Sequence, residues 1–181
     1  MGLLDDIDEI LIPEAALQAR IRELGRAIAG DYEGKEPLLV GILVGAFVFL
    51  SDLLRHISIH CGVDFMATSS YGDATESSGI VRILKDLDQS IEGRHVLIVD
   101  DIIDTGLTMD YLLETLRARY PASLRVCALL DKLPRRKRAV RIDYRGFEIP
   151  DKFVVGYGLD YSGRYRNVSF VCVLKPEVYR S

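Results

Sequence analysis

Apolar and polar positions alternate along this chain in blocks that change period several times. Residues 7–12, "IDEILI", have the pattern of a short edge strand, and Pro13 suits the first turn of a helix. Leu17, Ile21, Leu24 and Ile28 keep helical spacing, with Gly30 as a stop. "PLLVGILV" (37–44) predicts a buried strand, and Phe47, Leu50 and Leu54 predict the apolar face of a second helix. Strands are expected at 63–70, 81–86, 93–100 and 124–131. A helix carrying Met109, Leu112, Leu116 and Tyr120 is expected between the last two. "KFVVG" is strand-like, and "VSFVCVLK" (168–175) is expected to close the sheet. Strands alternate with helices, and several strands are apolar on both faces. That combination predicts an α/β fold with a mainly parallel sheet flanked by helices. With no repeat and no linker, residues 1–181 are expected to form one domain.

Composition narrows the function classes. Hydrophobic residues make up 49% and charged residues 28%, with a net charge of −4, so overall charge does not favour nucleic-acid binding. The basic run "RRKR" (135–138) is expected to be a solvated turn. Cys61, Cys127 and Cys172 lie far apart among apolar neighbours, as core fillers in a reducing cytosol would. His56, His60 and His95 lack metal-ligand spacing and are expected to be structural or exposed. "MGLLDDIDEI" lacks the basic and apolar regions of a signal peptide. The longest apolar run (38–50) is glycine-broken and too short to span a bilayer, so a cytoplasmic protein without membrane contact is expected.

The chemistry concentrates in "VDDIIDTGLT" (99–108). Three carboxylates, Asp100, Asp101 and Asp104, follow the apolar run Val96–Val99 and precede Thr105-Gly106 and a helix start. Ligands of parallel sheets bind beyond the C-terminal strand ends, and this stretch lies at one. Unpaired N–H groups and the positive end of a helix dipole suit a phosphate there. Asp100 and Asp101 are poor phosphate ligands but good partners for ribose hydroxyls and Mg²⁺, and Asp104 is placed as a base. A phosphorylated ribose satisfies every part. The plain alternative is a solvated acidic turn with Asp104 as helix N-cap. A dinucleotide site is a weaker competitor, because "GILVGAF" lacks the G-x-G-x-x-G pattern. The polar, glycine-rich "YGDATESSG" (71–79) is expected to be a mobile lid.

"VLIVDDIIDTGLT" resembles the signature by which type I phosphoribosyltransferases bind 5-phosphoribosyl 1-diphosphate (PRPP). "LLDKLPRR" and "GFEIPDKFVVGYGLDYSGRYRN" resemble the hypoxanthine-guanine branch of that family, and the similarity runs from about residue 37 to 174. The resemblance implies that family's fold, with a small hood made by the terminal segments. It implies transfer of the phosphoribosyl group to hypoxanthine or guanine, giving IMP or GMP and pyrophosphate. It also implies that Asp100 and Asp101 face the ribose hydroxyls and Mg²⁺, and that Asp104 acts as general base or proton relay near purine N7. The amides of Asp104, Thr105, Gly106, Leu107 and Thr108 would hold the 5′-phosphate. Lys132 would donate to the 6-oxo group, Phe153 would stack on the purine, and the Val154 backbone would read its edge. Asp160 would help hold a second Mg²⁺, Arg166 would bind pyrophosphate, and Ser70 and Tyr71 would begin the lid. Where the family often has Leu-Lys-Gly with a non-proline cis peptide, this chain has Leu43, Val44 and Gly45, so pyrophosphate contacts there are left to the backbone. Leu107 likewise stands where some relatives carry lysine. Relatives are usually homodimers or homotetramers.

Two competing functions follow from the same residues. One is a regulator that keeps the PRPP fold but binds RNA or DNA; Lys132, Phe153, Asp160 and the net acidity weigh against it. The other is a phosphoribosyltransferase for another base, such as xanthine or a pyrimidine. The sequence does not rank hypoxanthine against guanine.

Overall fold

The computed structural model describes residues 2–71 and 80–179. The expected lid therefore lies outside the described residues, beyond the backbone of Tyr71. A six-stranded sheet has the order β4-β3-β2-β5-β6-β7. Its strands are β2 (Leu38–Leu43), β3 (Gly62–Tyr71), β4 (Ile80–Lys85), β5 (His95–Ile103), β6 (Ser123–Asp131) and β7 (Tyr144–Glu148). Only the β3–β4 pair is antiparallel.

Period-2 alternation decides how β5 is buried. Leu97 and Val99 join a core with helices α1 (Glu14–Asp31) and α2 (Phe47–Leu54). Val96 and Ile98 join a second core under α3 (Leu107–Arg117). Both faces are covered, as the unbroken apolar runs predict. β2 leads to α2 on one face and β5 leads to α3 on the other. The chain thus runs outward in opposite directions from neighbouring strands, and the crevice between the C-terminal ends of β2 and β5 is the place where such folds bind ligands.

A three-stranded antiparallel sheet of order β1-β9-β8 forms the hood, from β1 (Ile7–Ile12), β8 (Val154–Val155) and β9 (Val171–Leu174). This corrects the expectation that 168–175 closes the main sheet. The closing strand is β7, "YRGFE", whose mixed polarity gives no apolar run to detect. Helix faces shift as well. The buried face of α2 is Phe49, Leu50 and Leu53, with Phe47 exposed. α1 runs one residue past Gly30. α3 ends before Tyr120, which is exposed at a positive φ of 56°. β5 extends to Ile103, so Asp100 and Asp101 belong to the strand. A short helix α4 (Pro176–Tyr179) lies at the end of the described chain.

The hood is fastened by buried tyrosines. Tyr157 donates to Asp52 of α2, and Tyr165 donates to Asp6 at 2.7 Å. Helix α1 meets the turn after α2 at Gly25, where an added Cβ would lie 2.6 Å from His56 Cβ and 2.8 Å from its carbonyl oxygen. Alanine would gain about 1 kcal/mol of helix propensity but force an overpacking cost of about 1–3 kcal/mol. Gly25→Ala is therefore expected to lower stability by up to ~2 kcal/mol, read as a lower urea midpoint with unchanged slope. A midpoint equal to or above the parent's would show that this contact relaxes freely.

Candidate functional site

The site begins where β5 stops being apolar. Asp100 follows Ile98 onto the α3 face, and Asp101 follows Val99 toward the loop between β2 and α2. Asp101 packs so closely on that loop that a Cβ at Gly45 would stand 1.8 Å from its Oδ2. The residue must be glycine for the acid to lie there. The Leu43–Val44 peptide just before it is cis, and Val44 is exposed at the rim.

Both acids are pushed toward protonation. Burial raises the Asp100 carboxyl well above the usual carboxylate range, and the neighbouring Asp101 charge adds to it. Burial raises Asp101 too, with the Arg166 guanidinium acting the other way. A paired buried acid of this kind is stabilised by cations and by hydroxyl donors, and disfavours bare anions.

Beyond the strand the chain turns through Asp104, Thr105 and Gly106. Gly106 caps α3 with a φ of 82°, a left-handed conformation suited to glycine. This removes the reading of Asp104 as N-cap. The turn and the first residues of α3 line a cleft of about 110 Å³ with Asp100, Thr105 and Thr108 on its walls. Among the described residues, the amides of Asp104, Thr105 and Gly106 have no protein acceptor, whereas the Leu107 amide donates to Thr105 Oγ1 at 3.4 Å. Unpaired amides at a helix start suit an anion. A separate concavity of about 770 Å³ beside Lys35 and His60 lies at the opposite, N-terminal end of the sheet.

Lys132, at the end of β6, is 5% exposed. Its ammonium stands 3.8 Å from Asp104 Oδ2 and 3.9 Å from Asp151 Oδ1, beyond hydrogen-bond reach of either. Asp104 Oδ1 is buried without a hydrogen bond, with Arg135 Nε at 3.6 Å. Phe153 is 44% exposed, not core, and meets Tyr161 edge-on and Tyr179 at a tilt. Val154 is buried in the hood.

The hood loop reaches the crevice at Gly158, where a Cβ would stand 2.3 Å from the Gly45 carbonyl oxygen. Arg166 donates to the Gly158 carbonyl at 2.6 Å and pairs with Asp160 at 2.6 Å. Asp160 also accepts the Gly163 amide. Asp160 is thus held by Arg166 rather than grouped with Asp100 and Asp101, and no cluster of three metal-binding side chains exists among the described residues. A Mg²⁺ site built from one or two carboxylates plus substrate oxygens needs no such cluster, so the acid pair fits that ion. Ser70 and Tyr71 contribute the backbone end of β3.

Sequence reasoning missed Arg136. The basic run is not simply solvated, because the Arg136 side chain is 12% exposed and donates to the carbonyls of Asp104 and Ile103. The signal available was "LLDK": a buried acid at a strand end calls for a cation nearby.

Comparison with known proteins agrees with this geometry. The family model described as "Phosphoribosyl transferase domain" matches residues 6–162. The hypoxanthine-guanine phosphoribosyltransferase of Bacillus subtilis is 51% identical over 97% of this chain and 98% of its own length. The enzyme of that name from Mycobacterium avium is 51% identical, covering 97% and 89% of the two chains. A crystal structure of a hypoxanthine phosphoribosyltransferase from Staphylococcus aureus superposes with a TM-score of 0.93 at 48% identity, over 97% of this chain and 95% of that one. An acid pair at the central strand end, an amide-lined turn beyond it and likeness over nearly the whole chain lead to one assignment: the chain belongs to the phosphoribosyltransferase family, in its hypoxanthine-guanine branch.

Proposed function

We propose that the chain transfers the phosphoribosyl group of PRPP to N9 of hypoxanthine or guanine, forming IMP or GMP and releasing pyrophosphate. The observation that carries this reading is the pairing of Lys132 and Asp104. A buried ammonium with free donors and a buried carboxylate oxygen without a hydrogen bond stand side by side. They match the acceptor O6 and the proton at N7 along one edge of a 6-oxopurine.

The 5′-phosphate rests on the amides of 104–108, and Asp100 and Asp101 receive the ribose hydroxyls. The bond from C1 to the pyrophosphate oxygen loosens first, and its electron pair leaves with pyrophosphate. Positive charge develops on the ribose ring, where the acid pair favours it electrostatically. Arg166 and the backbone at Val44 and Gly45 receive the leaving group. N9 then bonds to C1, and the N7 proton passes to Asp104. Phe153 supplies a stacking face and the Val154 backbone reads the purine edge. Asp100 and Asp101 would hold Mg²⁺, with a second ion near Asp160, and the metal would supply charge neutralisation on the diphosphate.

We further propose one domain over 1–181, a homodimer or homotetramer, and a cytoplasmic location. Among the described residues no helix is long and apolar enough to cross a membrane. Steady-state turnover of a nucleobase panel with PRPP and Mg²⁺ tests the whole reading, and absence of turnover with every 6-oxopurine would overturn it.

Three more specific outcomes are expected. Asp104→Asn should retain PRPP binding while kcat falls roughly 10²–10⁴-fold, the scale of a lost general base. Unchanged kcat with chemistry rate-limiting would remove Asp104 from that role. Turnover should vanish in excess EDTA, because PRPP and the acid pair together concentrate negative charge; full activity after verified metal removal would contradict it. Adenine should be rejected through Lys132, since an ammonium facing a 6-amino group leaves two donors opposed. An unpaired buried polar group costs about 1–3 kcal/mol, or about tenfold to a hundredfold at ~1.4 kcal/mol per decade. Lys132→Ala should therefore lose hypoxanthine kcat/KM while keeping whatever adenine activity exists. An unchanged ratio of the two would show that Lys132 does not read the 6-position.

A further inference from the structure

The turn that carries Asp104 and the unpaired amides is held through its carbonyls, that of Ile103 also accepting the Lys132 amide at 3.0 Å. Arg136 Nε donates to the Asp104 carbonyl at 3.2 Å, and its Nη2 donates to the Ile103 carbonyl at 3.3 Å. The next carbonyl, of Thr105, accepts the amides of Lys137 at 2.8 Å and Arg138 at 3.1 Å. Three successive carbonyls thus face the 136–138 segment. In a trans peptide the C=O of one residue and the N–H of the next point in opposite directions. Fixing the oxygens of 103, 104 and 105 therefore aims the amides of Asp104, Thr105 and Gly106 the other way, and these amides have no protein acceptor among the described residues.

The guanidinium is itself anchored. Its Nη2 also pairs with Asp131, which is 2% exposed at the end of β6 and is opposed in register by Ile103. Arg145 Nε lies 3.5 Å from the other Asp131 oxygen, so the buried acid is held from both sides. Gly106 completes the fit, since a Cβ there would meet Arg136 Cδ at 2.9 Å and the Arg138 carbonyl at 2.6 Å.

We propose that Arg136 is a positioning residue of the transfer reaction: anchored on Asp131, it holds the Ile103 and Asp104 carbonyls so that the phosphate-binding amides and the Asp104 base keep their alignment. It touches neither the reacting atoms nor the phosphate, and acts through the backbone it holds. This rests on the reading of 104–108 as the phosphate turn. A planar guanidinium can serve two carbonyls and a carboxylate at once, whereas an ammonium is a point charge on a flexible stem. Lysine can keep the charge beside Asp131 but not the fork.

The test compares Arg136→Lys, Arg136→Gln and the control Arg22→Gln, an exposed position on α1 away from the turn. Calorimetric PRPP affinity in the presence of Mg²⁺, KM for PRPP and for hypoxanthine, kcat and thermal midpoint are measured on each. Misplacement of the turn is expected to weaken PRPP binding and lower kcat by about tenfold to a hundredfold in Arg136→Gln. Arg136→Lys should recover the thermal midpoint but only part of the PRPP affinity, and KM for hypoxanthine should move less than KM for PRPP. Arg22→Gln should match the parent. PRPP affinity and kcat within about twofold of the parent in folded Arg136 variants would overturn the proposal, as would failure of both variants to fold, which would assign Arg136 to the fold alone. If the unaltered chain does not bind PRPP, the reading of the turn fails instead.

Discussion

The structure depends on one contact: the carboxylate of Asp101 lying in the space that a side chain at residue 45 would take. Two consecutive acids lie at the end of a central strand, where burial favours the neutral form of both and the Asp101 charge adds to it at Asp100. A fold selected for stability alone has no use for such a pair, since an unpaired buried charge is costly. Here alternation along β5 divides the pair between the two faces, one acid toward α3 and one toward the β2–α2 loop. Glycine at 45 lets the β2 end approach, and glycine at 158 lets the hood approach that same loop. The hood brings Arg166 near enough to act on Asp101 electrostatically. Strand order, two glycines and the small sheet therefore act together, bringing a cation and the β2–α2 loop backbone to an acid pair.

The rest of the molecule holds these parts in place. The acid pair sits at the end of a strand flanked by β2 and β6, with the β2 register ending at Val99 and the β6 register kept to Asp131. The hood shares a core with the main body: Ile12, Val154, Tyr157, Leu159, Val171 and Val173 pack in one cluster with α1 and α2. Side-chain bonds such as Tyr157 to Asp52 and Ser169 to Glu14 add to that packing, each contributing modestly.

The sequence displayed the parts governed by short-range periodicity and by chemistry packed into consecutive positions. β5 and its acids, the buried face of α1 and the core face of α3 all announce themselves within a single window. What it concealed depends on partners far along the chain. β7 forms because β6 offers an edge, and its own residues carry no strand pattern. β9 has the apolar run of a main-sheet strand, yet it pairs with β1 from the other end of the molecule. Phe47 keeps helical spacing with Leu50 and Leu54, but the β2 loop delivers the helix with Phe47 at the rim. Arg136 was hidden among four consecutive basic residues, because only the position of Asp131 and the 103–105 carbonyls distinguishes it from its exposed neighbours.

Counting charges in the site explains how an acidic chain can take a polyanionic substrate. Arg166 is already paired with Asp160, Arg136 with Asp131, and Lys132 stands between Asp104 and Asp151. Each cation is matched by at least one carboxylate, so side-chain charge alone leaves the crevice without a positive excess. Attraction for a phosphorylated, diphosphorylated ribose must come from elsewhere. One source is the set of backbone N–H groups at the α3 start, which carry partial positive charge without a counter-ion. The other, in the proposed mechanism, is the divalent ion that the acid pair would recruit. In the proposed mechanism the paired cations would serve geometry more than affinity: Arg136 would aim the amides, Arg166 holds the Gly158 carbonyl, and Lys132 would keep donors free for a 6-oxo group. On that mechanism the site would hold its substrate only together with the metal, whose charge would keep the carboxylates from repelling the ligand they are placed to receive.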